Sequence, residues 1–346
     1  MLSLTLNTVT GAYEFKLYDE LVHTAGDGEN SGLRSGPLDN GVQHSIPNID
    51  LGSIITYTDK DGDSVTLTGK FVVNVTDDSP KAVIPRGGSS VTIDETPGNQ
   101  ADDTTSDGVR NLFAGLEATL VDGVPLAGDD PDVPGDNNGG NSGNGAIAYA
   151  QSAFEVVTGH SIWGADAPLY PHQFSLSVAG GNNVASGLFV TDGSPIMLSL
   201  NANGMVIGTV SGGAFDGKVA FAIVIDLDGR ISVAQYLSIR HDDRGDSNET
   251  NDNGNPSNDA PPADGQTIQQ TLEGKIVATL TITDSDGDQS SASINIGHLI
   301  TFLDDGPTVT ATRISAAVDE DGLATANLDD GRSGETAGTG SAVATG

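Results

Sequence analysis

Two acidic passages recur along this chain in the same order. Asp59-Lys60-Asp61-Gly62-Asp63 leads through alternating apolar residues into Asp77-Asp78-Ser79-Pro80. Asp284-Ser285-Asp286-Gly287-Asp288 leads through a similar run into Asp304-Asp305-Gly306-Pro307. The turns begin 225 residues apart, and each passage is followed by a further acidic group, Asp94-Glu95 and Asp319-Glu320-Asp321. Three landmarks in constant order mark a duplicated module.

The duplication extends upstream. Gly11, Tyr13, Phe15, Tyr18, Leu21 and His23 align with Gly229, Ile231, Val233, Tyr236, Ile239 and His241 at an offset of 218. The change of offset places an insertion in the Gly/Asn/Asp/Pro-rich loops near 24–48 and 242–266. Residues 1–80 therefore read as the end of one repeat, 81–308 as a complete repeat and 309–346 as the opening of another. The Gly/Asn/Asp-rich stretch 122–145 reads as a long mobile loop or internal linker, and a division of the complete repeat into two β subdomains is expected near it, if anywhere. The tail GRSGETAGTGSAVATG is low-complexity and expected to be disordered.

Period-two alternation dominates. Val65, Leu67, Phe71, Val73 and Val75 are expected on one side of a strand region. Ile276, Ala278, Leu280 and Ile282 repeat the pattern, as do Ile294, Ile296, Ile300 and Phe302. Val219 to Ile225 and Ile231 to Ile239, separated by Asp228-Gly229, predict a hairpin of half-buried strands. No capped amphipathic helix of ten or more residues is evident, and 46 Gly with 15 Pro predict many turns. The expected fold is all-β, as tandem Ig-like β-sandwich modules with long acidic loops.

The chain of 346 residues carries 14 Lys plus Arg against 48 Asp plus Glu, a formal charge of −34. Such a field opposes phosphate backbones and anionic lipid, so neither nucleic acid nor membrane insertion is expected. No run of 18 apolar residues spans a bilayer. The N-terminus lacks the basic and apolar regions of a Sec signal and reads as a strand already in progress, as in a piece of a longer polypeptide. There are no cysteines, so disulfides supply no rigidity; bound metal is one alternative.

Asp-x-Asp-Gly-Asp places three carboxylates within five residues. Alternate side chains of an extended segment share a face, and glycine lets the backbone bend so that they converge. Like charges about 4 Å apart repel by about 1 kcal/mol in water and about 4 kcal/mol at an effective dielectric near 20. A divalent cation reverses that sign, and Ca²⁺ suits hard oxygen ligands. The turns are not EF-hands: glycine is fourth rather than sixth, and the twelfth positions are Lys70 and Asn295. The candidate ligands are Asp59, Asp61, Asp63, Asp284, Asp286 and Asp288. Asp77, Asp78, Asp304 and Asp305 are candidates for a cation at the junction between modules. Pro80 and Pro307 suit the exit from a last strand. A solvated hairpin turn and a plain acidic linker are the simpler readings of the two motifs.

In TITDSDGDQSSASINIGHLITFLDDGPTV, YTDKDGDSVTLTGKFVVNVTDDSP, SGLFVTDGSPIMLSLNANGMVIGTV and GKVAFAIVIDLDGRISVAQYLSIRH, the chain resembles the extender repeats of large type I-secreted RTX (repeats-in-toxin) adhesins. The likeness covers most of 1–325. It implies Ca²⁺-dependent β-sandwich modules in an extracellular surface fibre that supports attachment or biofilm formation. It also implies that both Asp-x-Asp-Gly-Asp triplets are Ca²⁺ ligands and that neighbouring repeats are the chain's partners. The glycine-rich nonapeptides of an export region are absent.

An enzyme is not expected: G-x-S-x-G, H-E-x-x-H and Walker motifs are lacking. The most enzyme-like stretch is His160-Ser161-Ile162-Trp163-Gly164-Ala165-Asp166 with Tyr170 and His172, which holds the single Trp. It supports two alternatives, an adhesin domain that binds host-surface or matrix polysaccharide, and a polysaccharide-active enzyme. A packed loop is the simpler reading. A halophilic protein, acidic for solubility, is a further possibility. His23 and His241, at equivalent positions, read as strand terminators.

Overall fold

A computed structural model describes residues 1–24, 32–35, 44–95, 102–116, 146–241 and 272–303. They belong to one compact unit, Met1–Asp305. The 122–145 and 242–266 stretches, residues 304–346 and much of 24–48 lie outside the described residues.

The fold is all-β. Its body starts near Lys81. Six antiparallel strands make the largest sheet, in the order Ala148–Gln151, Ile231–Gln235, Val219–Ile225, Val206–Val210, Pro195–Leu200 and Val184–Phe189. A second sheet has Ile276–Thr283 at its centre, between Gln173–Val178 and Gln289–Asn295. Residues from both sheets share one core, including Leu198, Phe221, Ile223, Val233, Leu176, Ala278 and Leu280. Val91–Asp94 pairs in parallel with Ile300–Leu303, bringing Ile93 and Phe302 into the same interior.

The expected hairpin forms, with Ile225 opposite Ile231 and Phe221 opposite Gln235. Its strands are not half-buried as expected; both faces are covered. Phe221, Ile223, Ile231 and Val233 face the main core, whereas Ala222, Ala234 and Tyr236 pack in a second cluster with Val109 and Phe113. Val109 lies in the six-residue helix Asp107–Leu112 and Phe113 caps it. Small alanines on the second face leave room for these larger side chains. A helix this short has too few turns to show a periodic signature.

The described residues of 1–80 form four short two-stranded ladders. Leu2–Leu6 pairs with Tyr13–Leu17, Thr56–Thr58 with Ser64–Thr66, Ile49–Asp50 with Val72–Val73, and Leu33–Arg34 with Ser45–Ile46. The expected run 65–75 is broken. Leu67 to Lys70 turns, with Gly69 at φ 73°, so the segments on either side pair with different partners. The apolar face predicted there is largely exposed or half-buried, because no second sheet covers it among the described residues.

Candidate metal centre

The two Asp-x-Asp-Gly-Asp turns have the same local construction. The backbone N–H of Asp59 donates to the Asp63 carbonyl at 2.9 Å, and that of Asp284 to the Asp288 carbonyl at 3.1 Å. Asp59 Oδ1 accepts from the N–H groups of Gly62 (3.1 Å) and Asp63 (2.9 Å). Asp284 Oδ1 accepts from Gly287 (3.1 Å) and Asp288 (2.8 Å). Gly62 and Gly287 have φ of 101° and 108°, a region that L side chains avoid. The turn is thus built by its own five residues.

Their surroundings differ completely. Asp59, Asp61 and Asp63 sit together but are exposed. Asp284 is fully buried, with Asp286 7 % and Asp288 1 % exposed. Around them gather Asp166 (4 %), Asp77 (7 %) and His23 (3 %). Three overlapping groups have ligand atoms within 4.8 Å of one another: Asp166 with Asp284 and Asp286, Asp77 with Asp78 and Asp166, and His23 with Asp77 and Asp286. Opposite oxygens around Ca²⁺ lie about 4.6–5.2 Å apart, twice its usual ligand distance. Ligand atoms within 4.8 Å of one another are close enough to share one ion.

Three parts of the chain position these groups. Thr283 ends the central strand of the smaller sheet and Asp284 follows it directly. There Pro168 bridges to Asp284, and the Leu169 N–H donates to the Thr283 carbonyl at 2.9 Å. That pairing holds the 163–172 loop, and Asp166 with it, over the turn. Asp78 Oδ2 accepts from the Ala165 N–H at 2.5 Å, while the His23 N–H donates to Asp286 Oδ2 at 3.2 Å. A cavity of about 140 Å³ lies beside them, lined in part by Leu21, His23, Asp77, Asp78 and Asp166.

The electrostatics are unfavourable without a counter-ion. Burial pushes the Asp284 carboxyl up to about 7, and the neighbouring Asp286 adds to this. Asp77 rises to about 6, first from burial and then from the charge on Asp286, with His23 pulling the other way. Burial also raises Asp166. Exposed Asp59 is instead lowered, chiefly by its hydrogen bond with the Asp61 side chain. Asp77 Oδ2, Asp166 Oδ2, Asp284 Oδ2 and Asp286 Oδ1 are buried without a hydrogen-bond partner. Among the described residues no Lys or Arg forms an ion pair with these four carboxylates. Unsatisfied buried carboxylate oxygens are expensive, and a coordinated cation satisfies several at once. The donor set therefore fits a divalent metal ion.

Of the residues singled out from sequence, Asp77, Asp78, Asp284 and Asp286 are brought together with Asp288 close by, and Asp59, Asp61 and Asp63 form a separate exposed group. Asp304 and Asp305 lie outside the described residues. Two members of the cluster, His23 and Asp166, are not among the candidate ligands predicted from the sequence. His23 was read as a strand terminator, although its recurrence as His241 was the available signal. Asp166 was read as part of an enzyme-like or sugar-binding loop, and no local pattern reveals that the loop folds over a distant turn.

The family described as Domain of unknown function (DUF5801) matches residues 90–297. Comparison with curated proteins and with solved structures gave no match.

Proposed function

The chain belongs to the DUF5801 family. We propose that it is a calcium-stiffened extender module of a secreted bacterial adhesin, supporting cell attachment or biofilm formation. The observation that carries this reading is how residues 1–78 meet the body. Among the described residues, neither apolar core takes a member from 1–80. Hydrogen bonds of His23 with Asp286 and of Ala165 with Asp78 join the two parts, both at the carboxylate cluster. A junction without an apolar core is free to bend unless its charges are tied together. A cation there converts mutual repulsion into a rigid link.

The cluster joins the end of one sequence repeat to the body of the next, which is where a string of sandwich modules needs stiffness. Ca²⁺ suits the excess of carboxylate oxygens. Extracellular modules bind it in the ~10⁻⁴–10⁻³ M range. This matches export through a type I system from a low-Ca²⁺ cytoplasm, followed by folding outside. With free Ca²⁺ at ~100 times its dissociation constant, one site adds about 2.7 kcal/mol. The role is mechanical, not enzymatic, and the partners are calcium ions and neighbouring repeats.

Amide hydrogen exchange tests this reading. Exchanging EDTA for Ca²⁺ at matched ionic strength slows exchange in residues 20–24 and 75–78 and around Asp166, and raises the melting temperature. Identical protection and melting in both buffers sink it.

A second reading rests on an aromatic surface beside the cluster. Trp163, Leu169, Tyr170 and His172 line a cavity of about 530 Å³, and the rings of Trp163 and His172 stack with centroids 6.2 Å apart. Aromatic faces of this kind suit sugar rings. Glycan-array binding abolished by Trp163→Ala would establish a carbohydrate-binding adhesin domain.

A further inference from the structure

We infer that the cluster contains a nitrogen-bearing metal subsite, formed by His23, Asp77 and Asp286, which takes a borderline first-row divalent ion such as Zn²⁺ beside the all-oxygen calcium subsite of Asp166, Asp284 and Asp286. This deepens the proposed function and rests on that reading of the cluster as a cation site. It differs from that reading in assigning a second ion of different chemistry.

The orientation of the imidazole is the first ground. His23 Nε2 lies 3.2 Å from the Val75 carbonyl oxygen, which can only accept, so Nε2 carries the hydrogen. In the neutral ring Nδ1 then holds the lone pair. Metal-bound histidines characteristically donate their other ring N–H to a carbonyl or carboxylate in this way, which sets the tautomer and raises ligand basicity.

What Nδ1 faces is the second ground. It is 3.0 Å from Asp77 Oδ1 yet lacks the alignment of a hydrogen bond, and the two side chains are 3 % and 2 % exposed. With the ring neutral, as a metal ligand must be, its lone pair and a carboxylate this close repel each other in a dry site. A shared cation turns the same approach into an ordinary ligand-to-ligand distance. The ligand atoms of His23, Asp77 and Asp286 lie within 4.8 Å of one another, and Asp286 is common to this group and to the oxygen group. One bridging carboxylate can therefore serve two adjacent ions.

Charge is the third ground. Asp77, Asp78, Asp166, Asp284, Asp286 and Asp288 supply six carboxylates, so one divalent ion leaves the cluster strongly negative. Imidazole favours Zn²⁺ and its neighbours, whereas pure oxygen sets favour Ca²⁺.

The test uses the full chain, stripped with EDTA and titrated with Zn²⁺ in saturating Ca²⁺, with Co²⁺ as a visible-absorption probe. Zn²⁺ is expected to raise the melting temperature above that reached with Ca²⁺ alone. His23→Gln is expected to weaken Zn²⁺ binding by about tenfold or more, a larger loss than it causes in Ca²⁺ binding, whereas Asp284→Asn should weaken Ca²⁺ binding the more. In the unmutated chain, where folding of a variant is not at issue, Zn²⁺ should shift the ¹⁵N resonance of His23 Nδ1 and leave Nε2 protonated. An Nδ1–H signal that persists under Zn²⁺, or a His23→Gln variant with undiminished Zn²⁺ affinity, overturns the inference. Zn²⁺ binding through His23 without any calcium effect would instead overturn the calcium reading and leave this one standing.

Discussion

The backbone N–H of His23 donates to Asp286 Oδ2 at 3.2 Å, a contact between residues 263 positions apart. It places the N-terminal segment against the acidic turn at 284–288. The junction is polar, buried and dominated by carboxylates, so its stability depends on what neutralises them. Four predictions follow from that dependence and from the packing around it.

Replacing Asp284 with Asn keeps an acceptor at the turn but removes a buried charge. Without metal at pH 7, Asp284→Asn should melt at the same temperature as the parent or higher, because a carboxylate held at about 7 by burial has been removed. In Ca²⁺ the order should reverse, since the variant loses most of the calcium-dependent rise. Asp61→Asn, in the exposed turn, should keep that rise. Paired melts in EDTA and Ca²⁺ decide this, and equal rises in parent and Asp284→Asn would count against the ligand assignment.

The pH dependence has a defined sign. Folded Asp284 and Asp77 hold protons up to about 7 and about 6, against an ordinary value of 3.8. Between those limits the folded state binds more protons, so metal-free stability falls as pH rises through the window. His241, pressed down to about 4 by burial, gives the opposite slope between about 4 and its ordinary 6.5. The carboxylate effect is therefore read above about pH 6.5, or as the difference between the parent and Asp284→Asn. Saturating Ca²⁺ should flatten it, because the ion binds the ionised form. A metal-free stability that climbs from pH 6.5 to 7.5 would contradict this.

Gly164 sits at φ +70°, and a Cβ there would lie 1.5 Å from Asp78 Oδ2. Gly164→Ala should push the Asp78 carboxylate and the Asp166 loop apart. The expected result is weaker Ca²⁺ binding by calorimetry with an unchanged far-ultraviolet dichroism spectrum. Full-strength binding would show that the loop's position does not matter.

The body and the N-terminal segment should differ in what a large side chain is worth. Phe221→Ala removes a fully buried ring packed 5.0 Å from that of Phe302 and should cost about 3–5 kcal/mol in denaturant unfolding. Tyr57 is 64 % exposed, and Tyr57→Ala should change stability by no more than about 0.5 kcal/mol. Comparable losses would mean that the N-terminal segment has an apolar core of its own.

Much of the architecture was legible in the residues. Alternation at 276–282 and 219–225 predicted strands because side chains on a pleated backbone point to opposite faces every second residue. The same alternation could not say whether a second face would be covered, and the short helix at Asp107–Leu112 covers one. Nor could it foresee the break at Gly69, where a turn sends the flanking residues to different partner strands.

The acidic turns mark the boundary most sharply. Asp59 to Asp63 and Asp284 to Asp288 form one and the same turn, because hydrogen bonds within five residues and a glycine with positive φ are local matters that neighbouring residues decide. Sequence alone determined that much. Only the tertiary structure decided that one copy is a solvated surface turn and the other a buried cage. Burial, the arrival of Asp77, Asp166 and His23, and the resulting rise of the carboxyls towards neutral pH all come from segments far away in the chain. Charge repulsion and desolvation depend on distance in space, which spacing along a chain does not encode.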